Sequence, residues 1–164
     1  MKKLLLILFC LPLLTLAQTS VPDANFEAYL EANGMGDGTP ANNLVTTANI
    51  SGVTLLDLSG PTNAGLGISD LTGIEAFTAL TELNCRNNSL TILDVSNNLL
   101  LSDLKCQNNS LSDLDLSTNT ALAFLNCNNN DLISLDVKNG NNSNIPTASF
   151  KATGNPNLDC INVD

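Results

Sequence analysis

Apolar residues recur along this chain with a fixed long period. Leu80, Leu101 and Leu122 are evenly spaced, at a step of 21, and so are Leu83, Leu104 and Leu125. Cys85, Cys106 and Cys127 keep the same step, as do Leu90, Leu111 and Leu132, and Leu93, Leu114 and Leu135. Two polar columns follow it too: Asn88, Asn109 and Asn130, and Asp94, Asp115 and Asp136. A repeat of this length is the signature of a solenoid, in which one coil cannot bury its apolar face alone and does so by stacking on its neighbours.

Each unit holds two short stretches of alternating apolar and polar residues, Leu83-Asn84-Cys85 and Leu93-Asp94-Val95 in the first. Period-two alternation predicts a short strand with its apolar side chains on one face. The expected architecture is a β-rich right-handed coil with parallel strands. Leu83, Leu104 and Leu125, with Cys85, Cys106 and Cys127, would form inward ladders, the cysteines acting as small buried hydrophobes. The Asn88, Asn109 and Asn130 column would bridge turns, because an amide both donates and accepts and an unpaired buried polar group costs roughly 1–3 kcal/mol. Asn-x-Ser matches at Asn87, Asn108 and Asn141 offer glycosylation as an alternative, but the repeat generates them anyway.

The unit Leu-x-x-Leu-x-Cys-x-x-Asn-x-Leu-x-x-Leu-Asp-(Val/Leu) resembles the bacterial leucine-rich repeat, in the nested subclass whose every unit contains two similar halves. Val53, Leu56 and Leu58 precede Leu80, Leu83 and Cys85 by a longer step of 27, and that turn continues as Ile68, Leu71, Ile74 and Phe77, similar to the internalin-type unit. Phe150, Ala152 and Asn155 follow Leu125, Cys127 and Asn130 by a step of 25. Leu158, Ile161 and Val163 follow Leu132, Leu135 and Val137 by 26. The solenoid is thus expected over 53–164 in about five turns: 53–79, 80–100, 101–121, 122–142 and 143–164. Residues 18–52 read as an N-terminal cap. Pro22-Asp23 starts a helix that Gly34 stops, and Phe26, Tyr29 and Leu30 share one face.

Residues 1–17 read differently. Lys2 and Lys3, the apolar run Leu4 to Leu16 and small residues around Ala17 make a secretory signal peptide cleaved before Gln18. Phe9 argues against a lipid anchor at Cys10. Export places the protein in the secreted or cell-surface class, with no membrane span after cleavage. Removing two of the 6 cations leaves 4 against 16 carboxylates, a net charge of −12. That balance excludes nucleic acid and anionic lipid as partners.

The sequence contains no His, so no Ser-His or Cys-His pair exists. No phosphate-cradling glycine loop is present, and Gly36-Asp37-Gly38 lacks the Asp spacing of a calcium loop. Stacked cysteines on parallel strands do not converge tetrahedrally on a metal. No catalytic residue, metal site or cofactor is therefore expected. Asp94, Asp115 and Asp136 form an acidic stripe, solvated or bonded to turns; a divalent cation would relieve its repulsion, but a flat column supplies few oxygens.

The outward residues of the first strands are Glu82, Asn84 and Arg86, then Asp103, Lys105 and Gln107, then Phe124, Asn126 and Asn128. The family resemblance implies that this face carries ligand contacts; an ordinary solvated sheet is the alternative. The functional expectation is a non-enzymatic exported protein that binds a protein or glycan. The second expectation is a structural, self-associating surface component. The strand pattern is still running at Asp164, which suits a fragment of a larger surface protein or end-to-end stacking.

Overall fold

A computed structural model describes residues 16–164. The expected leader, 1–17, lies almost wholly outside them. Among the described residues no helix is long and apolar enough to cross a membrane.

Strand β1 (Gln18–Ser20) opens the fold, followed by helix α1 (Ala24–Ala32), strand β2 (Leu44–Thr46) and the short helix α2 (Thr47–Ile50). β1 pairs antiparallel with β2. Asp23 caps α1, accepting the backbone N–H groups of Asn25 and Phe26 at 3.0 Å. The helix stops at Gly34, in the left-handed region at φ 72°, with Met35 N–H donating to Leu30 O and Gly34 N–H to Glu31 O. This is a Schellman arrangement, which satisfies carbonyls that a helix end would otherwise leave unpaired. Phe26 and Leu30 are fully buried, and Phe26 stacks on Phe77 with ring centroids 6.3 Å apart.

The solenoid follows. Strands β3 (Leu55–Asp57), β4 (Glu82–Asn84), β5 (Asp103–Lys105), β6 (Asp113–Asp115), β7 (Phe124–Asn126), β8 (Ser134–Asp136), β9 (Phe150–Lys151) and β10 (Cys160–Asn162) assemble into two parallel sheets. The first runs β3-β4-β5-β7-β9 and the second β6-β8-β10. Leu56, Leu83, Leu104, Leu125 and Phe150 are register partners in succession. The first four are buried to 1% exposure or less. Each such leucine contributes roughly 1.5–3 kcal/mol by leaving water. The apolar column, repeated once per coil, therefore fixes the register.

Alternation at Leu93-Asp94-Val95 predicts a strand, but the structure has none there, although Leu93 and Val95 are buried. The neighbouring coil explains the difference. Residues 68–77 descend through a 3-10 turn at Ile74–Ala76, where Leu71 O accepts the Ile74 N–H. They present no extended edge to pair with. Among the described residues no backbone hydrogen bond joins 92–94 to an adjacent coil. The second sheet accordingly begins one coil later, at β6.

Candidate functional site

The amides beneath the first sheet hold its strands in place. Asn109 Nδ2 donates to Cys85 O and Cys106 O at 3.1 and 3.0 Å, and its Oδ1 accepts Leu90 N–H at 3.1 Å. Asn130 repeats this one coil on, with Cys106 O, Cys127 O and Leu111 N–H. Asn88 does so one coil earlier through Leu58 O, Cys85 O and the N–H groups of Leu66 and Ile68. Asn155 extends the column with Cys127 O, Ala152 O and Leu132 N–H.

Two further asparagine columns accompany it. Asn98, Asn119 and Asn139 are buried and donate across coils, Asn119 to both Val95 O and Asn98 O at 3.0 Å. The Oδ1 atoms of Asn98 and Asn119 have no partner among the described residues. Asn87, Asn108 and Asn129 sit in the left-handed region at φ 58°, 58° and 54°, and their amides chain together, Asn108 Nδ2 to Asn87 Oδ1 at 2.6 Å and Asn129 Nδ2 to Asn108 Oδ1 at 2.9 Å. Gly60 and Gly154 occupy the same turn in the flanking coils, also at positive φ. The Asn-x-Ser matches at Asn87 and Asn108 are thus hydrogen-bonded turn residues. Asn141 likewise donates to Leu122 O at 2.7 Å.

Cys85, Cys106 and Cys127 are free, buried thiols. Burial pushes Cys85 and Cys127 up to about 12 and Cys106 well above its ordinary value. Cys160 is exposed on β10.

The outward face of the first sheet comprises three columns. Leu55, Glu82, Asp103 and Phe124 share one, and Asp57, Asn84, Lys105, Asn126 and Lys151 the next. Arg86, Gln107 and Asn128 lie beyond the strand ends, where the Arg86 guanidinium donates to Asn63 Oδ1 and Asn128 Oδ1 accepts the Thr153 N–H. Arg86 Nε and Gln107 Oε1 are buried and without a partner among the described residues. Asn84 Nδ2 donates to Asp57 Oδ1 at 3.1 Å. Partial burial works against the Asp57 charge, but hydrogen bonds from Ser59 and Asn84, with Arg86 nearby, hold its carboxyl below the ordinary value.

Phe124 reads from the sequence as an exposed aromatic, and that expectation is corrected. It is half-buried, because Lys105 and Lys151 lie over its ring with Nζ 5.4 and 5.6 Å from the centroid. Each such contact contributes roughly 0.5–1 kcal/mol at an exposed site. Lys105 also pairs with Asp103 at 3.1 Å. Lys151 is absent from the expected face, yet it follows Asn126 by the same offset that takes Leu125 to Phe150, so the offset locates it.

On the other side, Asp94, Asp115 and Asp136 each accept the backbone N–H two residues ahead, from Ser96, Ser117 and Lys138 at 2.9, 2.9 and 2.8 Å. The Ser96 hydrogen bonds lower the Asp94 pKa, and those from Lys138 and Asn162 lower that of Asp136. The stripe is therefore a set of turn anchors. Asp115 and Asp136 are register partners in the second sheet, whereas Asp94 lies outside it. Where the sheet breaks, the segment Thr91–Asp94 forms a ridge between two clefts of about 540 and 400 Å³. Ile92 on that ridge is 74% exposed. Among the described residues no group of three metal-ligating side chains converges.

No protein-family model matches the sequence, and no curated protein does. Solved structures do match. The functional domain of InlJ from Listeria monocytogenes, described as including a cysteine ladder, is 36% identical over 75% of this chain, with a TM-score of 0.61. An internalin, InlF, from Listeria monocytogenes is 21% identical over 92% of the chain, with a TM-score of 0.57, a likeness of fold. This chain spans 27% of the first and 46% of the second.

Proposed function

We propose, from the premise that this chain is an internalin-like leucine-rich-repeat protein, that it is an exported, non-enzymatic module binding a protein partner on the outer face of the β3-β4-β5-β7-β9 sheet. One observation carries the reading. Three of the four cations left after residue 17, Arg86, Lys105 and Lys151, lie along this face of a strongly acidic chain, and the aromatic side chain of the outward columns sits between two of them. Charged groups set in complementary patterns select partners and orient them, and aromatic and arginine side chains supply much of interface energy. The absence of His from the sequence supports a non-enzymatic role, and the leader-like stretch 1–17 supports export.

The test is a purified array of extracellular proteins and glycans, probed with the protein and with a variant carrying Arg86→Ala, Lys105→Ala, Phe124→Ala and Asn126→Ala together. Saturable binding to a protein that the variant loses supports the reading. Unchanged affinity moves the site elsewhere.

A second reading, self-association, is favoured by an apolar cleft of about 320 Å³ on the last described coil, lined by Val137, Ile145, Phe150, Ile161 and Val163 among others. Ile161 and Val163 are exposed there. Sedimentation velocity across a hundredfold concentration range separates the two: a constant monomer removes this second reading.

A further inference from the structure

We propose that the row Lys105, Asn126 and Lys151 on the first sheet docks an acidic, extended segment of the partner protein; this rests on the binding reading above and specifies its chemistry. The three residues are successive register partners on β5, β7 and β9. Adjacent strands lie about 4.8 Å apart, so the two lysine backbones are separated by about 10 Å with the asparagine midway.

The row offers donors. Asn126 Oδ1 accepts the Asn128 N–H at 3.2 Å, which leaves Nδ2 as the amide's open end. Lys105 has one carboxylate neighbour, Asp103, and Lys151 has none among the described residues. In a chain with 16 carboxylates, that pairing leaves positive charge uncompensated at one spot. Both ammoniums are held over Phe124, which restricts long flexible side chains before any ligand arrives. Preorganised donors facing outward match an acceptor-only group, and an ionised carboxylate is that group among side chains.

Geometry selects a peptide over an acidic sugar. Lys105 and Lys151 reach the Phe124 ring from the strands on its two sides, and their ammoniums over the ring compete with a sugar for stacking on it. In a polyproline II-type extended chain, with three residues per turn and about 3.1 Å per residue, carboxylates three residues apart share one face and lie about 9 Å apart, close to the lysine separation. The carboxylates elsewhere on the protein repel an acidic partner at long range, but at physiological ionic strength that field decays over about 8 Å. Asp57, Glu82 and Asp103 share this face on β3, β4 and β5, so the uncompensated positive charge lies on its β7-β9 side, at Lys151.

The experiment is a calorimetric titration of the protein with a synthetic Ser/Gly decapeptide carrying glutamate at every third position, and with its glutamine counterpart, at 0.15 M salt. The glutamate peptide binds saturably and the glutamine peptide does not. Lys105→Gln and Lys151→Gln each weaken binding by about fivefold, the loss of one exposed ion pair. Lys151→Arg and Lys138→Gln leave it within about twofold, and unchanged melting of every variant shows that folding is intact. The proposal is overturned if both peptides bind alike, if the lysine variants bind as the parent does, or if neither peptide binds. It is equally overturned if an oligogalacturonate binds more tightly than the peptide in a Lys151-dependent way. Should the peptide fail while the quadruple face variant still loses its partner on the array, the partner chemistry is wrong and the binding face stands.

Discussion

The Asp23 carboxylate joins α1 to the first coil through Ser69. One oxygen caps the helix, and the other accepts both the Ser69 backbone N–H at 2.8 Å and the Ser69 hydroxyl at 2.9 Å. A single side chain thus closes a helix start and a contact 46 residues away. Asp23→Ala is expected to cost about 1–2 kcal/mol, the range of a lost N-cap, read from the midpoint of urea unfolding.

The same carboxyl makes stability depend on pH. Burial raises the Asp23 pKa, but hydrogen bonds from Ser69, Phe26 and Asn25 outweigh it and hold the group below its ordinary 3.8. A depressed folded pKa stabilises the protein above the unfolded value and is lost as pH falls through the folded one. Urea midpoints should be flat from pH 7 to 5 and fall below about pH 4. In Asp23→Asn that fall should be shallower; an identical slope in both proteins would show that Asp23 does not contribute.

Asn109 and Asn119 occupy different columns with different consequences. Asn109→Ala leaves Leu90 N–H without its acceptor, while Cys85 O and Cys106 O keep donors from Asn88 Nδ2 and Asn130 Nδ2. Asn119→Ala removes donations to Val95 O and Asn98 O, which also accept backbone N–H groups of Asn98 and Leu101, and deletes an unpartnered buried oxygen. With roughly 1–3 kcal/mol for each orphaned group, Asn109→Ala should exceed Asn119→Ala by about 1–2 kcal/mol in chemical denaturation.

Asn108 separates backbone from side-chain effects. Its φ of 58° disfavours a residue with a Cβ and no local hydrogen bond. Asn108→Ala should destabilise by about 1–2 kcal/mol, whereas Asn108→Gly should remain within about 0.5 kcal/mol of the parent, because relief at the turn offsets loss of the amide chain. Equal melting temperatures for the two variants would contradict this.

Alkylation should distinguish the cysteines. Among the cysteines after residue 17, iodoacetamide at pH 8 is expected to modify Cys160 alone in the native protein, and Cys85, Cys106 and Cys127 only in denaturant. Those three are buried with their thiols pushed far above pH 8, whereas Cys160 is exposed. Intact-mass spectrometry reads the number of adducts.

Much of the fold is legible in the chain because one spacing governs one column. Leu83, Leu104 and Leu125 share an environment, and even the irregular offsets to Leu56 and Phe150 correspond to register pairs. The asparagine bridge was also readable, since a buried turn demands a side chain that both donates and accepts. The environment of Phe124 was not. Its exposure depends on Lys105 and Lys151, which lie one coil before it and one coil after, and meet only across strands. The missing strand at Leu93-Asp94-Val95 was hidden as well, because the alternation there is intact.

Inward columns and turn residues follow from residue type and repeat position, because burial and left-handed backbone act on each position separately. Which outward side chains meet, and where a strand finds a partner, depend on how the coils stack. Those outcomes belong to pairs of coils, and no residue's own pattern contains its neighbour's path.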